Sequence, residues 1–315
     1  MTASRLLRLP ALSWPTCPAR LHRARVIGGD WTVFNTAGAL WCPTQRPRAC
    51  TRRDGASIEI DASLPVQHLR EPVALLGGSW NYYHALADFA LNLGALEQVP
   101  GGAARTLLVD DFAEQYAARI ATALGVAPGR FQRVPKDRMV RCDDLLVLPH
   151  ALGGAGQLRD MAAIDWLRAA AARAALADRD APALPRRILV SRSGAARRRV
   201  RNAQAIARLC ALRGFTEVQI ETLPLVQAWR LFAQAEAVVA PHGAGLANIL
   251  FMQRGALLLE LVPGRGYCPP MFTNIAAVLG LRHVVLPQDA GQNAPDFRVD
   301  PVALRTTLDT MLGRG

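Results

Sequence analysis

Apolar residues recur every three or four positions between residues 81 and 96, where Tyr82, Leu86, Phe89 and Leu93 share one face, and this spacing predicts a helix. Short apolar runs at 106–109 and 145–148 read as buried strands, and 112–124 reads as a helix stopped by Gly125. These make the first part of the chain α/β. An alanine-rich helix over 161–180 follows, and then the sequence Ala-Pro-Ala-Leu-Pro at 181–185 marks a hinge. Beyond it strand and helix alternate. The pattern gives a strand at 187–191, a helix capped by Asn202 and ended by Gly214, a strand at 218–220, and a helix after Pro224 with Leu225, Trp229 and Phe232 on one face. It continues with a buried strand at 237–240, a tight turn at 241–245, a helix through Met252, a strand at 256–261, a helix at 274–279, a strand at 283–286 and a last helix at 301–312. Such alternation argues for a parallel sheet covered on both faces. Residues 1–70, rich in Pro and Arg with alternating pieces such as 56–61, predict only small strands and loops, and no repeat of solenoid period is present. The expected organisation is an α/β lobe over 1–180, a second lobe over 181–300, and a C-terminal helix over 301–315.

Composition fits that picture: 315 residues, 51% hydrophobic and 20% charged, describe a packed globular chain and exclude disorder, coiled coil and collagen-like repeats. The charge is less ordinary. The net charge is +12, and Lys136 is the only lysine among 37 cationic residues. Residues 181–216 carry nine arginines and no acid, leaving 28 cations against 25 acids over the other 279 residues. Charge concentrated in one stretch points to an anionic partner. The six cysteines (17, 42, 50, 142, 210, 268) show no CxxC pair and no zinc spacing, which fits free thiols in a reducing cytosol. Pro10, Pro15 and Pro18 break the N-terminal apolar patch, so no signal peptide is expected. No run of about 18 apolar residues predicts a membrane span, and peripheral attachment stays open.

In an open parallel sheet, ligands sit beyond the C-terminal ends of the strands, and three places there carry chemistry. Ser191 and Arg192, with Gly194 and the run Arg197-Arg198-Arg199, could grip a diphosphate with forked donors; a solvated arginine face is the alternative. The turn 241–245 puts Gly243 and Gly245 where backbone can approach a ligand, with His242 placed to donate to a phosphate or leaving-group oxygen; a tight turn with a structural histidine is the alternative. Glu260 ends an apolar strand and could accept both hydroxyls of a ribose, or belong to an ion pair. Earlier in the chain His84 and Asp88, four apart, share one helix face and make either a general base or an inert hydrogen-bonded pair. The pairs Asp110-Asp111 and Asp143-Asp144 could suggest a divalent metal, but a cap for the helix at Phe112 and a turn explain them better.

Taken together, these motifs resemble glycosyltransferase family 61. The order Ser191-Arg192, Ala195, Arg198-Arg199, Asn202, Gly214-Phe215, then 241–248 and Phe251-Met252, then Glu260-Leu261, is similar to the family pattern, as is Asn81-Tyr-Tyr-His84 with Leu86 and Asp88. Four positions depart from it: Ala85 where the family places Trp, Leu91-Asn92 in place of Pro-Arg, and Ala203 in place of an acid. The resemblance implies a GT-B-like fold, with two Rossmann-like lobes facing a cleft, and an inverting, metal-independent transfer from a nucleotide-sugar, UDP-linked, to a glycan hydroxyl. It implies that Ser191, Arg192, Arg198, Gly243, Ala244, Gly245, Asn248 and Glu260 bind the donor, and that Asp88, His84 and His242 are catalytic. It also implies no cofactor beyond the co-substrate, and a cytoplasmic place in surface-polysaccharide synthesis. Two other readings compete: a catalytically inactive member that binds nucleotide or partner enzymes, and an arginine-rich nucleic-acid binder. The second lacks aromatic residues among its arginines to stack on bases.

Overall fold

The alternating pieces near the N-terminus become strands because each can bury one side. In Ser57–Asp61, Ile58 and Ile60 turn inward while their neighbours stay partly exposed. A computed structural model of the protein describes residues 6–40, 51–54, 56–152, 161–176, 183–264, 269–288 and 296–313. The chain forms two compact units, the first from residues 1–154 and 159–170, the second mainly from 171–315.

The first unit is built on one mixed sheet of eleven strands. Phe131–Val134, Thr106–Asp110, Val73–Gly77 and Met139–Val147 lie parallel. The nine-residue strand Ala19–Ile27 pairs antiparallel with Met139–Val147, and the remaining N-terminal strands extend the sheet from there. A parallel α/β lobe is therefore only part of this unit, since the segment read as small strands and loops supplies the rest. The single helix expected over 81–96 is instead a π-helical turn His84–Phe89, a 3₁₀ turn Ala90–Asn92 and an α-helical turn Leu93–Glu97. Its apolar stripe survives, with Leu86, Phe89 and Leu93 buried. The next helix is Tyr116–Ala123 and does not begin at Phe112, because Gln115 takes left-handed backbone (φ 48°) that no helix interior accepts.

The second unit is a parallel sheet in the order Thr216–Val218, Arg187–Val190, Ala237–Pro241, Leu257–Val262, Arg282–Pro287. Leu189, Val239 and Leu259 meet Ile206, Cys210, Leu304 and Leu308 in one core, so Ala203–Ala211 and Pro301–Met311 cover that face. Val238 and Leu258 alternate to the other face and are also buried, and there is an aromatic stack of Trp229 on Phe251 (5.3 Å) in the same unit. The strand expected at 218–220 ends at Val218, and Ile220–Thr222 is a 3₁₀ turn. Asn202 stands at the N-cap position, but its side chain bonds the backbone of Val299 in both directions (2.8 and 3.0 Å) and caps nothing. Gly214 ends the helix with φ 78°, as its sequence position requires.

Cys17, Cys142 and Cys210 are free thiols; Cys42, Cys50 and Cys268 lie outside the described residues, as do 177–182 of the expected helix and hinge. No helix among the described residues is long and apolar enough to cross a membrane. The acidic pairs find explanations other than metal or a simple cap. Asp143 pairs with His68 (2.8 Å) and Asp144 with Arg20 and Arg105 (2.7 and 3.0 Å), all within a strand and not a turn.

Asp110 has a different situation. It ends Thr106–Asp110 at 3% exposure, and its Oδ1 accepts the Phe112 N–H (3.1 Å) in a turn. Its Oδ2 has no hydrogen-bond partner among the described residues and lies where a Cβ of Gly78 would stand. Gly77 and Gly78 (φ 83° and 153°) provide both the backbone conformation and the room. Burial, followed by the charges of Asp111 and Glu114, pushes the carboxyl up to about 6, against the Phe112 hydrogen bond. A carboxyl raised in this way stabilises the fold below about pH 4, and that contribution is lost as pH rises through 6. Asp110→Asn should therefore gain stability relative to the parent between pH 4 and 7, by about 2–3 kcal/mol at most. Melting temperatures of both proteins across that range test it, and a constant difference would refute the assignment.

Candidate functional site

Numbered along the chain, the second unit's strands stand in the order 2-1-3-4-5. In such a sheet the crevice lies where the winding reverses, between the first strand and the third. A cavity of about 300 Å³ opens there, lined by Ser191, Arg192 and Ser193 after the first strand, Pro241 at the end of the third, and Arg201 and Glu217 among others. Ser191 is buried, and its N–H donates to the Val218 carbonyl (2.8 Å), fixing the segment that carries Arg192. Four of the nine clustered arginines meet acids from outside their segment: Arg186 and Arg187 pair with Glu236, Arg199 with Asp296, and Arg213 with Asp309. The concentrated charge is thus narrower than the sequence suggests. Arg192, Arg199 and Arg201 line the cavity; Arg198, with left-handed backbone (φ 60°), does not.

The glycine turn is packed tightly. Gly243 is extended (φ 175°), so any residue could adopt its backbone, but a Cβ there would overlap the Arg192 guanidinium. A Cβ at Gly245 would likewise overlap Ile220. Both glycines make room for the protein's own side chains. Arg192 also donates to the Arg197 carbonyl (3.1 Å), so it bridges the arginine run and the turn. Ala244 opens a 3₁₀ helix, Ala244–Phe251, and the buried Asn248 donates to the Gly245 carbonyl (2.8 Å).

Beneath the turn is a cluster that spacing in the sequence does not reveal. Nδ1 of His242 hydrogen-bonds Glu260 Oε1, and Nε2 of His283 hydrogen-bonds Glu260 Oε2 (3.1 Å). Glu260 is 1% exposed. Burial alone would raise its carboxyl, but hydrogen bonds from His242 and His283 outweigh it and hold the group below its ordinary value. Glu260 stands at the sheet edge as expected, and both of its carboxylate oxygens face imidazoles, the arrangement of the structural alternative. His283 follows from strand pairing alone, one strand over from Glu260 and two residues out of register with it.

In the first unit His84 Nδ1 bonds Asp88 Oδ2 (2.5 Å) on the π-helical turn. Asp88 is buried, whereas the His84 side chain is 36% exposed. The backbone carbonyl of Asp88 accepts from His150 Nδ1 (2.6 Å) and from Asn92 Nδ2 (2.7 Å), and Asn92 Oδ1 accepts the Ala151 N–H (2.9 Å). Neither His150 nor Asn92 was singled out for this from the sequence. Tyr83 packs edge-on against His84 (5.3 Å), and its hydroxyl is raised by burial and the nearby Asp88. Among the described residues, no group of three or more His, Cys, Asp or Glu could hold a metal ion.

The family model for glycosyltransferase 61 matches residues 82–259, more than half of the chain, and the chain belongs to that family. The matched span includes the His84–Asp88 turn, the arginine run and the glycine turn, and it ends one residue before Glu260. No curated protein matches the chain.

The contact between Arg192 and Gly243 can be tested by stability alone. Gly243→Ala should cost about 1 kcal/mol by forcing the guanidinium aside, and almost nothing in an Arg192→Ala background. Urea denaturation of the four proteins of this cycle measures the coupling; equal costs in both backgrounds would place the two residues apart.

Proposed function

We propose that this member of glycosyltransferase family 61 moves a hexosyl or pentosyl group from a nucleotide-sugar, UDP-linked, to a glycan hydroxyl, inverting the anomeric centre without a resident metal. The observation that carries the reading is that two motifs some fifty residues apart, Arg192 and the Gly243 turn, pack onto one another beside a cavity at the switch point of the second sheet. The division of labour is GT-B-like, with the donor on the second unit and the acceptor's base on the first.

Transfer breaks the bond between the anomeric carbon and the diphosphate oxygen as the acceptor oxygen attacks from the opposite face. Negative charge then builds on the leaving diphosphate. Arg192, on the cavity wall, supplies forked donors to offset it, and His242, oriented through Nδ1 by Glu260, supplies one from Nε2. At the acceptor, Asp88 holds the Nδ1 side of His84, and the other ring nitrogen takes the hydroxyl proton. Asp88 and Glu260 are then positioning carboxylates of similar kind. The pathway this points to is surface-polysaccharide synthesis in the cytoplasm, with peripheral membrane contact.

Two measurements test the reading. In a thermal-shift panel of UDP-, GDP- and CMP-sugars, one nucleotide class at a hundred times its Kd should stabilise the protein by about 2.7 kcal/mol, and no shift with any of them would remove the donor site. Asp88→Asn should keep that shift while lowering transfer about 10²- to 10⁴-fold; unchanged transfer would take the base away from this pair.

A further inference from the structure

We infer that Glu217 is the residue that takes the ribose hydroxyls of the donor nucleotide. The inference rests on the proposed donor site and names the part of the nucleotide that one of its walls recognises. The acid-free stretch 181–216 ends at this residue. Glu217 lies in Thr216–Val218, the outermost strand of the second sheet and the second in chain order, paired with Arg187–Val190. Its register partner is Leu189, so in a parallel pair the two side chains share a face, and both line the cavity. The strand is tied to the segment that follows the first strand by the Ser191 N–H and by a hydrogen bond from Gln219 to Ser193.

Arg192 and Arg201 line the same cavity, yet Glu217 makes no hydrogen bond or ion pair among the described residues. A carboxylate left open on the wall of a basic cavity has two acceptor oxygens for the two hydroxyls of a vicinal diol. It stands 25 residues beyond Arg192, in the middle of the three-residue strand that flanks the first strand. That is where an acid can reach a ribose whose phosphates sit at the turn after the first strand. The buried Glu260 has both oxygens hydrogen-bonded to imidazoles.

Calorimetric titration of UDP and GDP, each beside its 2′,3′-dideoxy counterpart, tests this in the parent chain, Glu217→Ala and Glu217→Gln. The parent should prefer a ribonucleotide about ten- to a hundredfold over its dideoxy form. Glu217→Ala should lose that preference and bind the dideoxy form as the parent does, with Glu217→Gln between them. Glu217 is exposed on an edge strand, so unchanged melting temperatures are expected and check that the fold is kept. A full preference surviving in Glu217→Ala, or no preference in a parent that binds both forms, overturns this inference alone. A parent that binds neither UDP nor GDP overturns the donor-site reading as well.

Discussion

An ionised carboxylate taken out of water has to be met by hydrogen-bond donors, and Glu260 draws its donors from two directions. His283 comes from the neighbouring strand and His242 from the turn after the strand on the other side, so one buried group ties three successive segments of the sheet edge. His242 is held again by its backbone, whose N–H donates to the Leu261 carbonyl (2.9 Å). With His242 held twice, Gly243 has a fixed place, and Arg192 lies across it where a side chain would otherwise be. Asn248 then fastens the turn to the helix that follows. The sheet edge is organised before any ligand arrives, which is the condition under which fixed dipoles and charges act most strongly on a developing charge.

The same packing bears on the role proposed for the arginines. Glu236 and Asp309 pair with cations at the two ends of the run and Asp296 with Arg199 at the cavity, so the segment is not a uniform basic face along which a polyanion could lie. A nucleic-acid reading needs both that continuity and stacking aromatics, and the run has neither. What remains is a small cavity whose wall carries Arg192, Arg201, the Arg199–Asp296 pair and Glu217. That suits a compact anion with a polar, uncharged part better than a phosphate backbone.

Much of this was legible in the chain, and where it was not the reason is physical. The second unit's strands were readable because each is a short apolar run between turn residues, and local periodicity reports burial directly. Ala19–Ile27 was missed because its alternation breaks at His22-Arg23, where Arg23 takes left-handed backbone (φ 51°), and the long pairing with Met139–Val147 overrides that local pattern. The π-helical turn was missed because residues three and four apart remain neighbours whether the chain winds with i+4 or i+5 bonds, so the stripe is the same. Glu217 was missed because an exposed acid gives no signal until the sheet order places it on a cavity wall. Sequence marks where a Cβ is absent, but only the fold shows what uses the space.

The His84–Asp88 pair shows how burial divides roles that spacing leaves equal. The exposed member is the imidazole, and an acceptor hydroxyl can reach its ring but not the carboxylate behind it. His150 and Asn92 clamp the Asp88 carbonyl from the interior, which fixes the backbone from which the buried carboxylate projects toward His84. On the proposed reading this makes Asp88 the group that orients the ring and stabilises it once protonated, and the exposed nitrogen the one that accepts the proton. The first-unit departures from the family pattern lie on the inner side of the same turn, where Ala85, Leu91 and Asn92 are all buried. They change what packs behind the pair and leave its open face to His84.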